Sequence, residues 1–242
     1  MINEKIDDSQ LYEESDYENT KRLNKQRLVR NEFKCTGKYG MPIIERQDID
    51  INNIKLHSYL KTKHDDVQNI NKTIHFFTYD WNFTDVYEKP ESSLEKLTQY
   101  YALLTPEFSL YNDMPIARQI DSVFKNRWCG AFWQKQGLLV IPTITWGGEK
   151  SFEFCFDGIE EGCVVAVSTY MREDCENQFL KGYNKMLEVI KPRAVICYGS
   201  PFAQMKGDLI TIDPYNKEEL IKKIGLAKFT EKYLAGELYP EI

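Results

Sequence analysis

The sequence predicts an α/β fold: a mainly parallel sheet with helical crossovers, either open and doubly wound or an incomplete β/α barrel. Three observations carry this. Short β-rich apolar runs alternate with stretches of helical periodicity from residue 74 to 213, in about six β/α steps. Strands joined through helices run parallel with right-handed crossovers, and about six units fall short of the eight of a closed barrel. The chain has 242 residues, 42% hydrophobic and 13% aromatic, which is enough for a sizeable core and too apolar for disorder.

The elements follow in order. Ile74 to Tyr79 is a β-rich run that stops at Asp80. SSLEKLTQYYALL, 92–104, begins with a Ser-Ser cap and places Leu94, Leu97, Tyr101 and Leu104 at helical spacing, so a helix is expected there. Phe108 to Tyr111 is expected to be a second strand. Asp113 is placed to cap the next helix, with Pro115 in its first turn and Ile116, Ile120, Val123 and Phe124 as its buried stripe. LLVIPTI, 138–144, is a buried strand bounded by Gly137 and the WGG turn. Phe152, Cys155, Phe156 and Ile159 give SFEFCFDGI a helical pattern. VVAVST at 164–169, AVICYG at 194–199 and DLITID at 208–213 complete the strands, with an amphipathic helix at 173–191 ended by Pro192. Asp213-Pro214 starts a helix over 215–224, and a last helix lies near 229–236.

Residues 1–40 form a charged, flexible N-terminal segment and 41–242 a single α/β domain. Residues 1–20 carry seven acidic side chains and one Lys, while 21–30 carry five basic ones; such blocks are solvated, as a frayed tail or a polar surface helix. Within 31–70, apolar clusters are isolated (41–44, 54–60), and the compact part begins near Thr73. No export signal or membrane span is encoded, which predicts a cytoplasmic protein without membrane partners. A formal charge of −6 argues against a dedicated duplex-binding protein. Six scattered cysteines without a CxxC pair, and three histidines, encode neither a disulfide framework nor a metal centre; the cysteines are expected to be small buried hydrophobes.

In parallel α/β folds ligands bind at the carboxyl ends of the strands. Reading those ends gives Asp80 and Trp81, then Ser109 and Asp113, then Trp146, then Ser168. Asp80 and Asp113 are the candidate acids or bases. Trp81 and Trp146 are candidate walls, and Ser109 and Ser168 candidate hydroxyl contacts. Arg118, in the first turns of the helix after Asp113, is a candidate clamp for phosphate or carboxylate, or an ion-pair partner of a nearby Asp. GxxxxGK[ST], GxGxxG and GxSxG are absent, so nucleotide loops and a serine-hydrolase elbow are not predicted, and no cofactor is specified.

PEFS at 106–109, DMP at 113–115 with the Arg that follows, and IPTITW at 141–146, among runs spanning about 74–213, resemble a bacterial family of unknown function that recurs on phages, plasmids and other mobile elements. The resemblance implies that Asp80, Ser109, Asp113, Pro115, Arg118, Pro142 and Trp146 are the positions through which the chain matches the pattern, which overlap the rim. It implies no reaction.

Two function classes follow. One is a pocket for a small polar or phosphorylated ligand, in an enzyme or a sensor. The other is a mobile-element binding module engaging single-stranded nucleic acid or a host protein through KNRWCGAFWQKQ, 125–136, where Lys125, Arg127 and Lys135 interleave with Trp128, Phe132 and Trp133. The plainer reading of that helix is one buried aromatic face.

Overall fold

The computed structural model describes residues 16–170, 175–214, 221–222 and 224–234. One compact unit ends at Glu32 and a second begins at Phe33. In the first, α1 (Asp16–Val29) has acidic residues in its first turn, Arg27 in its last and no buried residue. Its charges complement the helix dipole, and it offers no apolar face to pack.

The second unit opens with a short antiparallel pair, β1 (Cys35–Thr36) and β2 (Met41–Pro42). Then come β3 (Leu56–Ser58), β4 (Thr73–His75), β5 (Ala102–Leu104) and β6 (Val140–Ile141), which pair in parallel in sequence order. β7 (Val164–Ser168), β8 (Ala194–Tyr198) and β9 (Leu209–Ile212) form a second parallel sheet, also in sequence order. A parallel bridge from Thr143 to Ala166 joins the two sheets. A doubly wound sheet would reverse its strand order at a switch point. This order never reverses, so the fold is the incomplete barrel of the two predicted architectures; among the described residues, no pairing joins β9 to β3.

Alternation along the strands separates two surfaces. Leu56, Ala102, Leu104, Ile141, Val164, Ala166, Ala194, Ile196, Ile210 and Ile212 share one cluster that contains no helical residue, which is the interior of the curled sheet. Val165, Val167, Val195 and Cys197 face outward onto α5 (Glu176–Ile190), through Phe179, Tyr183 and Met186. The curl brings Phe77, just past β4, onto Tyr198 of β8, with ring centroids 4.4 Å apart, although three strands intervene in the order. Residues 47–54 cross the amino ends of the strands: Gln47 Nε2 donates to Leu138 O, Tyr101 Oη accepts from Asp50 N–H, and Arg193 donates to Ile49 O. That end is closed by chain, which leaves the carboxyl ends as the open rim.

Four elements differ from expectation. After the short α2 (Asp85–Glu88), the helix expected at 92–104 is α3 (Pro90–Leu97), and its predicted last turn is β5. Ala102 and Leu104 face the interior while Leu103 faces the helices, a period of two hidden within an unbroken apolar run. Phe108 to Tyr111 is irregular chain, not a strand. Helix α4 (Ile116–Lys135) starts from Pro115 without a side-chain cap, so Asp113 does not cap it. The helical turn expected at 151–159 is a 3-10 turn over Glu149–Glu153. The expected helix at 215–224 lies largely outside the described residues, and the last helix, α6, spans Leu226–Leu234.

Candidate functional site

Helix α4 fixes the rim. Its buried stripe includes polar residues, and each has a task. Asn126 Nδ2 donates to Pro106 O (2.8 Å) and Thr143 O (3.2 Å), while its Oδ1 accepts from Thr105 Oγ1, which itself accepts Thr143 N–H. This ties the carboxyl ends of β5 and β6 to one amide. Arg127 is 2% exposed and donates to Asp157 O (2.9 Å), Cys155 O (2.6 Å) and Asn126 Oδ1. Burial lowers its pKa to about 10, so it stays charged at neutral pH. It serves as an internal strut.

A second tie links the loops after β4 and β5. The Asp80 carboxylate accepts from Ser109 N–H (3.0 Å) and Ser109 Oγ (2.8 Å), and Ser122 of α4 donates to Ser109 O (2.9 Å). Asp80 and Ser109, predicted separately, thus meet in one hydrogen-bonded unit that holds two rim loops together. On the Asp80 loop, Trp81 stacks on Tyr79 with centroids 4.3 Å apart, and both rings are exposed, 72% and 60%.

Beyond that tie lies a cleft of about 180 Å³, lined by Leu110, Tyr111, Asn112, Trp146, Gly147, Cys175, Gln178 and Phe179. These residues follow β5, follow β6, and open α5, so the cleft spans three successive strand ends. Trp146 is held against Phe179 (4.9 Å) and lies across Gly182, where a Cβ would come within 2.2 Å of its Nε1. Any side chain at 182 would therefore displace the wall. Next to the cleft, Ser168 and Trp146 border a shallow recess with Glu107 and Thr145. Gln119 stands behind Gly147: its Nε2 donates to Met114 O (2.8 Å), and its buried Oε1 has no donor. Such an orphan acceptor costs about 1–3 kcal/mol.

The remaining predicted residues are elsewhere. Asp113 and Arg118 are exposed and do not line the cleft. One step along α4 from Arg118, the 100° turn puts Gln119 inside instead. The sequence signal for Gln119 was a polar residue on the stripe that continues through Val123 and Asn126. Gln178 was equally unmarked. The aromatic and basic helix 125–136 does not present a stacking surface: Trp128, Trp133 and Arg127 are core residues, so its plainer reading holds.

Inside the mouth of the curled sheet lies His75, also passed over in the sequence. Its ring packs on Tyr198 (5.1 Å) and Phe77 (5.5 Å), and its Nδ1 accepts Phe77 N–H (3.3 Å), which leaves the ring proton on Nε2. Burial, with smaller contributions from His57 and Lys61, lowers its pKa to about 3. Ser168 shares a register row with Tyr198, and its Oγ accepts Tyr170 N–H (3.3 Å).

Among the described residues, no group of three or more His, Cys, Asp or Glu side chains is placed to hold a metal ion. No described helix is long and apolar enough to cross a membrane. Cys129, Cys155, Cys163 and Cys197 are buried thiols, and burial pushes Cys155 up to about 12.

The chain belongs to the DUF4417 family, a domain of unknown function whose family model matches residues 33–216. It is 43% identical over 129 residues to the Gene 1 protein of Mycobacterium phage D29, covering 52% of this chain and 48% of that protein. It is 40% identical over 129 residues to the Gene 1 protein of Mycobacterium phage L5, covering 52% and 56%. The chain thus spans about half the length of these curated relatives. No solved structure matches it.

Proposed function

We propose that this chain is a ligand-binding α/β protein that holds a small polar molecule in the cleft at the carboxyl ends of β5, β6 and β7. The observation that carries this reading is the cleft itself: aromatic walls, a few polar groups and an unpaired acceptor behind it, at the end of the sheet where parallel α/β folds bind ligands. Trp146 and Tyr111 are the walls. Asp80 and Ser109 set the loop that carries Tyr111, and Ser168 adds a hydroxyl at the inner edge. Arg118 stays outside the contact.

Thermal denaturation against a panel of nucleosides, nucleotides, sugar phosphates and carboxylates tests this. A true ligand at a hundredfold excess over its Kd stabilises the protein by about 2.7 kcal/mol. Tyr111→Ala, which removes an exposed ring, is expected to keep the ligand-free melting temperature and lose most of the shift. Arg118→Lys is expected to keep the shift. An undiminished shift in Tyr111→Ala overturns the cleft as the site.

A further inference from the structure

We propose that His57 and Asp66 form a proton-operated latch on the β3–β4 crossover: a proton taken from solvent by His57 Nε2 turns two facing acceptors into an N–H···O bond that fastens residues 62–69 to β3. That crossover, residues 59–72, contains only the 3-10 turn Tyr59–Lys61, whereas the next two crossovers carry helices. Polar contacts hold it instead. Asp66 Oδ1 accepts from Gln68 N–H (3.2 Å), Asn69 N–H (3.2 Å) and Asn69 Nδ2 (2.8 Å), and Oδ2 accepts from Asn69 Nδ2 (2.8 Å) and Tyr100 Oη (3.1 Å). Asp66 N–H donates to Gln99 Oε1 and Lys63 N–H to Tyr100 Oη, which ties the crossover to the chain just after α3. The carboxylate also faces His57.

His57 Nε2 lies 3.7 Å from Asp66 Oδ2, and the two side chains are 12% and 5% exposed. That nitrogen is buried without a hydrogen-bond partner. The gap is too long for a hydrogen bond, and a neutral ring that gives its Nδ1 proton to the Lys61 backbone turns a lone pair toward the carboxylate. Only the charged ring satisfies both sides at once. Burial holds the ring below the ordinary 6.5; the hydrogen bond to the Lys61 backbone and the Asp66 carboxylate favour the proton, while Lys72 and the Lys61 ammonium oppose it. Tyr100, whose ring centroid is 6.2 Å from that of His57, is kept as the phenol by burial, and His75 on β4 stays neutral. The latch thus closes as the pH falls below 6.5. Because burial outweighs the pairing, the unfolded chain takes up this proton more readily than the folded one, so overall stability declines over the same window while the crossover tightens. The signature is therefore local. Ser58, next along β3, is in register with His75, so the fastened segment is the one that leaves the mouth of the curled sheet.

NMR of the full chain from about pH 8 to about pH 5 tests this, with His57→Gln assigning the ring signals. The His57 ring is expected to titrate below 6.5, and the Asp66 carboxyl carbon to shift at the same midpoint. Asp66 itself, held below the usual carboxylate range by Asn69, does not titrate in this window. Through the midpoint, hydrogen-exchange protection of the Gln68 and Asn69 amides is expected to rise by about tenfold, within the reach of a charge-assisted hydrogen bond, and to stay level in His57→Gln. Asp66→Asn keeps an oxygen for those amides and removes the charge, so the His57 midpoint is expected to drop further and the rise in protection to vanish. A midpoint unmoved by Asp66→Asn, a ring that stays neutral down to about pH 5, or flat protection in the parent chain overturns the latch. Should Asp66→Asn not fold, the parent chain decides: an Asp66 carbon that ignores the His57 titration overturns the latch, and one that follows it supports it. Neither His57 nor Asp66 lines the cleft, so failure of the latch leaves the ligand reading untouched.

Discussion

Two aromatic-rich stretches of this chain have opposite fates. In α4, Trp128 and Trp133 sink into the core beside a buried arginine, while on the rim Tyr79, Trp81 and Tyr111 stand in solvent. Both stretches mix rings with charges. What separates them is where the backbone sends each residue: α4 lies between the sheet and the 154–158 segment, and Arg127 spans that gap to two carbonyls. Among the described residues, nothing covers Tyr79, Trp81 and Tyr111 on the rim loops, which stay 60–72% exposed. The loops are nevertheless fixed from below, by Asp80 on Ser109 and Asn126 on the ends of β5 and β6. Support from below under exposed rings is what the proposed binding role asks for, in contrast to a packing surface.

The largest effect that can break this contrast lies in α4. Arg127→Leu leaves Cys155 O and Asp157 O without this donor and Asn126 Oδ1 with Thr105 Oγ1 alone, and is expected to cost about 3–5 kcal/mol in urea denaturation. Trp133→Ala, a fully buried ring, is expected to cost a similar ~3–5 kcal/mol. A loss below about 1 kcal/mol in both would mean that α4 does not hold the rim in place.

The same contrast explains what could be read in the sequence. The β/α alternation and the carboxyl-end rim were legible because apolar runs and caps are local signals. Strand β5 was not, because Tyr100 to Leu104 is apolar throughout and either period fits it. The choice between an open sheet and an incomplete barrel depends on strand order, which no local signal contains. Trp146 and Ser168 were read from strand ends, and the structure places them around one recess. Gln119 was passed over in favour of Arg118, since charge draws more notice than a neutral amide on a buried stripe. His75 was read as part of a strand, which it is; only the curl of the sheet shows that it faces Tyr198.

The interior mouth lies between the two extremes, polar yet buried, and it supplies an intermediate effect. His75 has a folded pKa of about 3 against an ordinary 6.5, so below pH 6.5 the unfolded chain takes up a proton that the folded chain refuses. Stability is therefore complete above 6.5 and is lost as the pH falls toward 3, by up to about 1.4 kcal/mol per pH unit. Carboxylates held low, such as Asp66 under its hydrogen bond from Asn69, add to the acid loss. The test is accordingly a difference: His75→Gln is expected to show a shallower fall between pH 6.5 and 4 than the parent chain. Identical slopes would place the imidazole in contact with water.

The smallest expected effect is the most informative about the rim. Trp81→Ala removes as large a ring as Trp133→Ala, and composition alone would assign them equal weight. Trp81 contacts Tyr79 on one face and is otherwise exposed, so its removal forfeits one surface stack and little burial. The expected change in the urea midpoint corresponds to about 0.5 kcal/mol or less, several-fold below that of Trp133. If Trp81→Ala instead costs more than about 1 kcal/mol, the ring is covered in solution. Repeating the measurement across a range of protein concentrations then identifies the cover: a cost that grows with concentration means a second copy of the chain, and a constant cost means that the rim packs on its own chain. Either result would remove the distinction between the two aromatic stretches.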